Sequence, residues 1–225
     1  MEKIVKRIKN TRKLINSIDF DAHWYRRVFH SFGASFLLYY MLPDLGWINL
    51  LKLIIPLIIL LVAISIEILR LRGIIPSDHF FGLRMYEKKR VGSYLYFAIA
   101  IVILLTFFPQ QIAVPCILCA CIADPLIGEI RIRFKKDFSY ILGFLICMLF
   151  FMIAWFKADI YLMLAVSIVG GLGAIIGEAK KIWWLDDDFS IQILPAILLS
   201  IIWIAIPYIG LSYPGQIIYP GLMPW

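Results

Sequence analysis

Seven apolar stretches, at roughly 28–42, 48–69, 91–108, 111–127, 138–156, 160–177 and 190–210, alternate with short polar gaps along the chain. Apolar runs of about 17–25 residues have the length to cross a hydrocarbon core as α-helices, the form that satisfies every backbone polar group within one segment. The pattern therefore predicts seven transmembrane helices. The first stretch opens on polar residues, and the fourth contains Pro115 and ends at Asp124. These two are expected to be tilted, broken or partly re-entrant.

Composition removes the soluble alternative. Hydrophobic residues make up 62% of the 225 positions and the mean hydropathy is +0.88, more apolar surface than a soluble domain of this length can bury. The expected fold is an all-α, polytopic transmembrane bundle. Its expected divisions are a basic amphipathic interfacial segment (1–27), one transmembrane catalytic domain (28–211) and a short tail (212–225) that rests at the opposite interface.

Charge orients the bundle. Residues 1–27 carry Lys3, Lys6, Arg7, Lys9, Arg12, Lys13, Arg26 and Arg27; the 70–90 gap carries six more basic residues, 129–137 four, and 178–189 Lys180 and Lys181. The alternate gaps hold only Lys52 and Lys157. The positive-inside rule then places the amino terminus in the cytoplasm and the carboxyl terminus outside. Topology and attraction to anionic lipid account for the net charge of +7, so nucleic-acid binding is not expected. Near the amino terminus Ile4, Val5, Ile8, Ile15 and Ile18 recur at helical spacing among basic residues, as in a helix lying among headgroups. No short apolar run ends in an A-x-A-like site, and no cleaved signal peptide is expected.

Cys116, Cys119, Cys121 and Cys147 all fall inside apolar runs with no neighbouring His, which points to packing rather than to metal or disulfides. Gly170, Gly171, Gly173 and Gly177 lack the Lys-Ser/Thr of a phosphate loop and read as close helix packing.

The remaining polar residues gather at the cytoplasmic ends of the spans. They are Arg26, Arg27 and His30; Glu67 and Arg70; Asp124, Gly128, Glu129 and Arg131; and Glu178 with Asp186, Asp187 and Asp188. Four helix ends could converge on one site. A carboxylate inside an apolar helix requires a cation. For Asp124 that cation is either a divalent metal, with Glu129 as a second ligand, or a neighbouring Arg. The Asp186–Asp188 run either caps the next helix or holds a cation. His30 is either a buried, hydrogen-bonded His or part of the site, and Glu67 and Arg70, three residues apart, can simply pair with each other.

The order Arg-Arg-x-x-His, Glu-x-x-Arg, Ala-Asp-Pro-x-x-Gly-Glu, then Glu followed by Asp-Asp-x-x-x-x-x-x-Pro, across residues 24–195, resembles the CTP-dependent lipid kinases of dolichol, phytol and diacylglycerol. The resemblance implies a multi-pass membrane enzyme that transfers the terminal phosphoryl group of CTP, with Mg²⁺ or another divalent cation, to the hydroxyl of a polyprenol or a diacyl- or dialkylglycerol-type lipid. On it, Arg26, Arg27 and His30 stand in an Arg-Lys-x-x-His block, with Arg27 in place of Lys. Asp124, Gly128 and Glu129 stand in an Asp-x-x-x-Gly block, and Asp187, Asp188 and Pro195 in the acidic stretch before the last span. A Lys-x-x-Glu-Gly-Ser block has no match in Lys135–Gly143.

The expected roles follow. His30, Asp124, Asp187 and Asp188 are candidate catalytic residues; Asp124, Glu129, Glu178 and Asp187 candidate metal ligands. Arg26, Arg27, Arg70, Gly128, Arg131, Lys135 and Lys136 are expected at the nucleotide phosphates, and Glu67 as a further polar group of the site. Cytidylyl transfer to form a CDP-lipid and small-solute transport are the competing readings. Against transport stands the clustering of ionisable residues at helix ends rather than at the bilayer midplane.

Overall fold

The computed structural model describes residues 27–77, 80, 83, 85–179 and 185–219. The expected interfacial segment apart from Arg27, together with Lys180, Lys181 and the end of the tail, lies outside the described residues. Among the described residues the architecture is all-helical, without a strand. Two helical turns at 27–32 lead into a 3₁₀ helix, Gly33–Met41. Then follow α1 (Gly46–Leu71), α2 (Ser93–Phe107), α3 (Gln110–Arg133), α4 (Lys136–Ala154), α5 (Ile160–Ala179) and α6 (Asp187–Ala205), which runs into a 3₁₀ turn, Ile206–Ile209.

Five of these, α1 and α3 to α6, are long and apolar enough to cross a membrane, which marks the chain as a membrane protein. α2, at 15 residues, rises only about 22 Å. The first expected span is not a regular α-helix: nine of its residues form the 3₁₀ segment, whose steeper rise of about 2 Å per residue lets a short segment reach further.

α3 is the buried centre, against α2, α4, α6 and the 3₁₀ segment, while α5 lies between α4 and α6. α1 packs on α2 and otherwise exposes Leu, Ile and Val along its length. All four cysteines are buried in the core. The α5 glycines allow the close packing expected of them: a Cβ on Gly177 would stand 2.4 Å from the Ser190 carbonyl oxygen. That contact brings the end of α5 against the start of α6 and sets Glu178 beside the Asp186–Asp188 run.

α3 is regular except where Pro125 forces a change. A proline has no N–H, and its ring clashes with the carbonyl four residues back. The backbone widens into a π turn at Cys119–Ala123, and the Asp124 N–H reaches the Cys119 carbonyl five residues back. Such a turn re-aims the side chains that follow it, and the first of these is Asp124. The helix continues past Gly128 to Arg133, where Phe134 turns extended.

Candidate functional site

One end of the bundle gathers a histidine and acidic groups from four segments. His30, on the turns before the 3₁₀ helix, is buried, its ring 5.0 Å from that of Phe97 on α2. A Cβ on the nearby Gly33 would stand 2.5 Å from the same Phe97 ring, so the glycine lets this segment close onto α2. Nδ1 of His30 lies 3.7 Å from an Asp124 oxygen, and Nε2 lies 3.7 Å from an Asp188 oxygen. Both separations are too long for hydrogen bonds but well within strong electrostatic reach. His30, Asp124 and Asp188 each place one ligand atom within 4.8 Å of the others, and Asp186, Asp187 and Asp188 form a second such group sharing Asp188.

Glu178, buried at the end of α5, joins the cluster. It accepts a hydrogen bond of 2.6 Å from Arg131 Nη2 on one carboxylate oxygen, its other oxygen, Oε2, is buried without a hydrogen-bond partner, and Asp187 lies close enough for its charge to be felt. Carboxylates gathered this closely repel one another unless a cation or a proton lies among them, and each of the two groups could hold a metal ion. Asp187 and Asp188 also stand in the first turn of α6, where the helix dipole favours negative charge.

Gly128 is one turn beyond Asp124, on the same side of α3, and a Cβ there would meet nothing within 4 Å. Space is thus open beside the cluster. Lys135 and Lys136 are exposed at the start of α4, with Lys136 Nζ 5.8 Å from the Tyr140 ring centre. Arg131 lies over the same ring at 4.9 Å, so its guanidinium bridges Glu178 and Tyr140.

Other expected members lie elsewhere. Glu129 does not join Asp124 as a metal ligand. Five residues along an α-helix turn the side chain about 140° away, and Glu129 instead pairs with Arg27 and, at 2.9 Å, with Arg133. Arg27 is thereby held at the half-exposed rim. Glu67 and Arg70, expected at the site and at the phosphates, are committed to each other. Arg70 Nε and Nη2 donate to the Glu67 carboxylate at 2.7 and 2.6 Å, and Nη1 and Nη2 donate to the carbonyls of Glu87 and Arg90 at 3.1 and 2.6 Å. Glu67 also accepts from the Gly92 N–H at 2.6 Å and from the Tyr94 hydroxyl. The pair is buried and staples the end of α1 to the chain entering α2.

A second polar region, which the sequence reading did not assign, lies at the far end of the helices. Gln111 Nε2 donates to the carbonyls of Pro214 and Gly215 at 2.9 and 3.2 Å, and Gln110 Oε1 accepts from the Ile218 N–H at 2.9 Å. Lys157 donates to the Gln216 carbonyl and the Tyr219 hydroxyl at 3.0 and 2.7 Å. The described tail is thus bonded across the helix ends.

The chain matches no protein-family model, no curated protein and no solved structure.

Proposed function

We propose that this chain is a membrane lipid kinase of the CTP-dependent type, acting at the cytoplasmic face on the hydroxyl of a polyprenol or a diacyl- or dialkylglycerol-type lipid. The observation that carries the reading is the convergence of His30, Asp124 and Asp188 from three separate segments onto one point at a helix end. Glu178 and Asp187 stand beside that point and open space adjoins Gly128. Phosphoryl transfer asks a protein for charge compensation, in-line placement and exclusion of water more than for covalent chemistry.

In this reading Asp124, Asp187 and Asp188 would hold Mg²⁺, which would supply neutralisation of the nucleotide's phosphate charge. Glu178, paired with Arg131, stands beside them. Lys135, Lys136 and the rim guanidinium of Arg27 meet the remaining phosphate charge, as point charges and as a planar fork respectively. His30, held between two carboxylates, is positioned to take the proton of the lipid hydroxyl.

The charge segregation supports a seven-span topology with the amino terminus cytoplasmic. Side-chain contacts also favour it: His30, Glu67, Arg70, Asp124, Arg131, Glu178 and Asp186–Asp188 belong to polar groups at one end. Residues 39–52, 105–111, 155–157 and 203–218 belong to the other.

Incubation of the purified chain with labelled CTP, Mg²⁺ and a panel of lipid alcohols tests the function. CDP and a lipid monophosphate are the expected products. Pyrophosphate and a CDP-lipid would assign the chain to cytidylyl transfer instead, and solute flux in proteoliposomes without nucleotide would assign it to transport.

A further inference from the structure

A cavity of about 560 Å³ opens at the end of the bundle away from the acidic cluster. Fourteen residues of α3 separate Gln110, on its wall, from Asp124, and fifteen of α6 separate Asp188 from Trp203, also on its wall. At 1.5 Å per residue both paths give about 21–22 Å. The path from His30 to Tyr39, mostly 3₁₀, gives a similar length of about 17–18 Å. The cavity therefore sits at the opposite membrane interface from the cluster and cannot be an extension of it.

Its walls combine two charges with an aromatic surface. Lys52 Nζ is 2.9 Å from an Asp44 oxygen; the Lys52 side chain is 9% exposed and that of Asp44 60%. An ammonium has three donors, and Asp44 takes one of them. Tyr39 lies with its ring centre 5.8 Å from the same ammonium. Trp203 and Tyr213 stack at 4.6 Å on another wall, and the tail tied down by Gln110 and Gln111 completes the rim.

The two charges touch but differ in depth. Asp44 precedes α1 and its carboxylate is mostly exposed, whereas the Lys52 backbone stands six residues inside α1 and its side chain is enclosed, so the anion-binding group is the deeper of the two. A zwitterionic aminophospholipid has the complementary order, with its phosphate deeper and its ammonium further out. Below Lys52, α1 exposes Leu53, Ile54 and Leu57, an apolar surface along which acyl chains can lie. Aromatic residues at this depth suit the headgroup layer.

We propose that this cavity binds the headgroup of a phospholipid carrying a phosphate and a primary ammonium, with the phosphate on Lys52 and the ammonium on Asp44. The lipid holds the 39–52 segment, the start of α3 and the docked tail together in the leaflet opposite the acidic cluster.

Native mass spectrometry of the full chain in detergent tests this by titration with dioleoyl phosphatidylethanolamine, dioleoyl phosphatidylglycerol, dioleoylglycerol and free phosphoethanolamine. One phosphatidylethanolamine is expected to be retained in preference to the others. Lys52→Gln is expected to weaken that retention at least about tenfold, the scale of a lost charge-assisted contact, and Lys52→Arg to preserve it. Asp44→Asn is expected to remove the preference over phosphatidylglycerol. Elution of each variant as wild type in size-exclusion chromatography separates these effects from misfolding. Equal retention of phosphatidylglycerol or dioleoylglycerol by the wild type overturns the proposal. So does retention unaffected by Lys52→Gln, and so does equally tight binding of free phosphoethanolamine, which would make the ligand soluble rather than a lipid.

Discussion

His30 Nε2 faces an Asp188 carboxylate oxygen at 3.7 Å while its Nδ1 faces Asp124 at the same distance. The two contacts tie the first described turns of the chain to the centre of α3 and to the start of α6. All three residues are separated from one another by whole transmembrane helices, so their meeting depends on the complete bundle. Replacing His30 by Ala should lower lipid phosphorylation by about 10²–10⁴-fold, the usual contribution of a general base. Kinetics on the purified variant check this, and wild-type turnover would remove His30 from the chemistry.

Glu129 and Glu178 make opposite predictions, although the sequence marks both as metal ligands. Glu129 is half-exposed with two arginine partners, and such pairs contribute about 1 kcal/mol or less. Glu129→Gln should leave turnover within about twofold of wild type. Glu178→Gln removes the negative charge that pairs with Arg131 beside the acidic cluster and should raise the Mg²⁺ concentration needed for half-maximal rate by about 10–100-fold, the range seen when an outer-shell partner of a metal site is lost. Metal titrations of the two variants side by side distinguish these roles.

Arg70 should matter to the fold rather than to phosphate binding. Its removal leaves Glu67 buried and opens the carbonyls of Glu87 and Arg90, and a broken buried pair costs about 3–5 kcal/mol. Arg70→Ala should show a sharply lowered thermal midpoint, with nucleotide KM near wild type in whatever fraction folds. A normal midpoint with a raised KM would return Arg70 to the phosphate site.

Gly177→Ala tests the contact that seats Glu178. A Cβ at 2.4 Å from the Ser190 carbonyl has to push α5 and α6 apart, at about 1–3 kcal/mol. Stability and turnover should fall together. Gly128→Ala, where a Cβ meets nothing, should leave stability unchanged and lower turnover only if phosphate occupies that space.

Much of this arrangement is written in the chain. Apolar runs of membrane length give the helices, and the confinement of polar groups to alternate gaps foretells that Asp124, Glu178, Asp188 and His30 share one end. Other features depend on rotation and local backbone. Glu129 is close to Asp124 in sequence but faces another way, a consequence of helical geometry that its spacing already contains. The π turn has a local cause in Pro125, yet the direction it gives to Asp124 depends on the packing of α3. The Glu67–Arg70 staple was legible as a pair at i, i+3, but its backbone partners at Glu87, Arg90 and Gly92 come from the loop that returns to α2. The 3₁₀ course of Gly33–Met41 and the tail anchored by Gln110 and Gln111 have no periodic signal at all.

The most direct test of the central claim is the initial rate of CTP-dependent lipid phosphorylation against Mg²⁺ concentration, for wild type, Asp124→Asn and Asp188→Asn. The wild type should need the metal, and each variant should lose at least about a hundredfold in rate, the scale of losing a preorganised charge in a phosphoryl-transfer site, while eluting and melting as a folded protein. Turnover and metal response unchanged in folded Asp188→Asn would contradict the account.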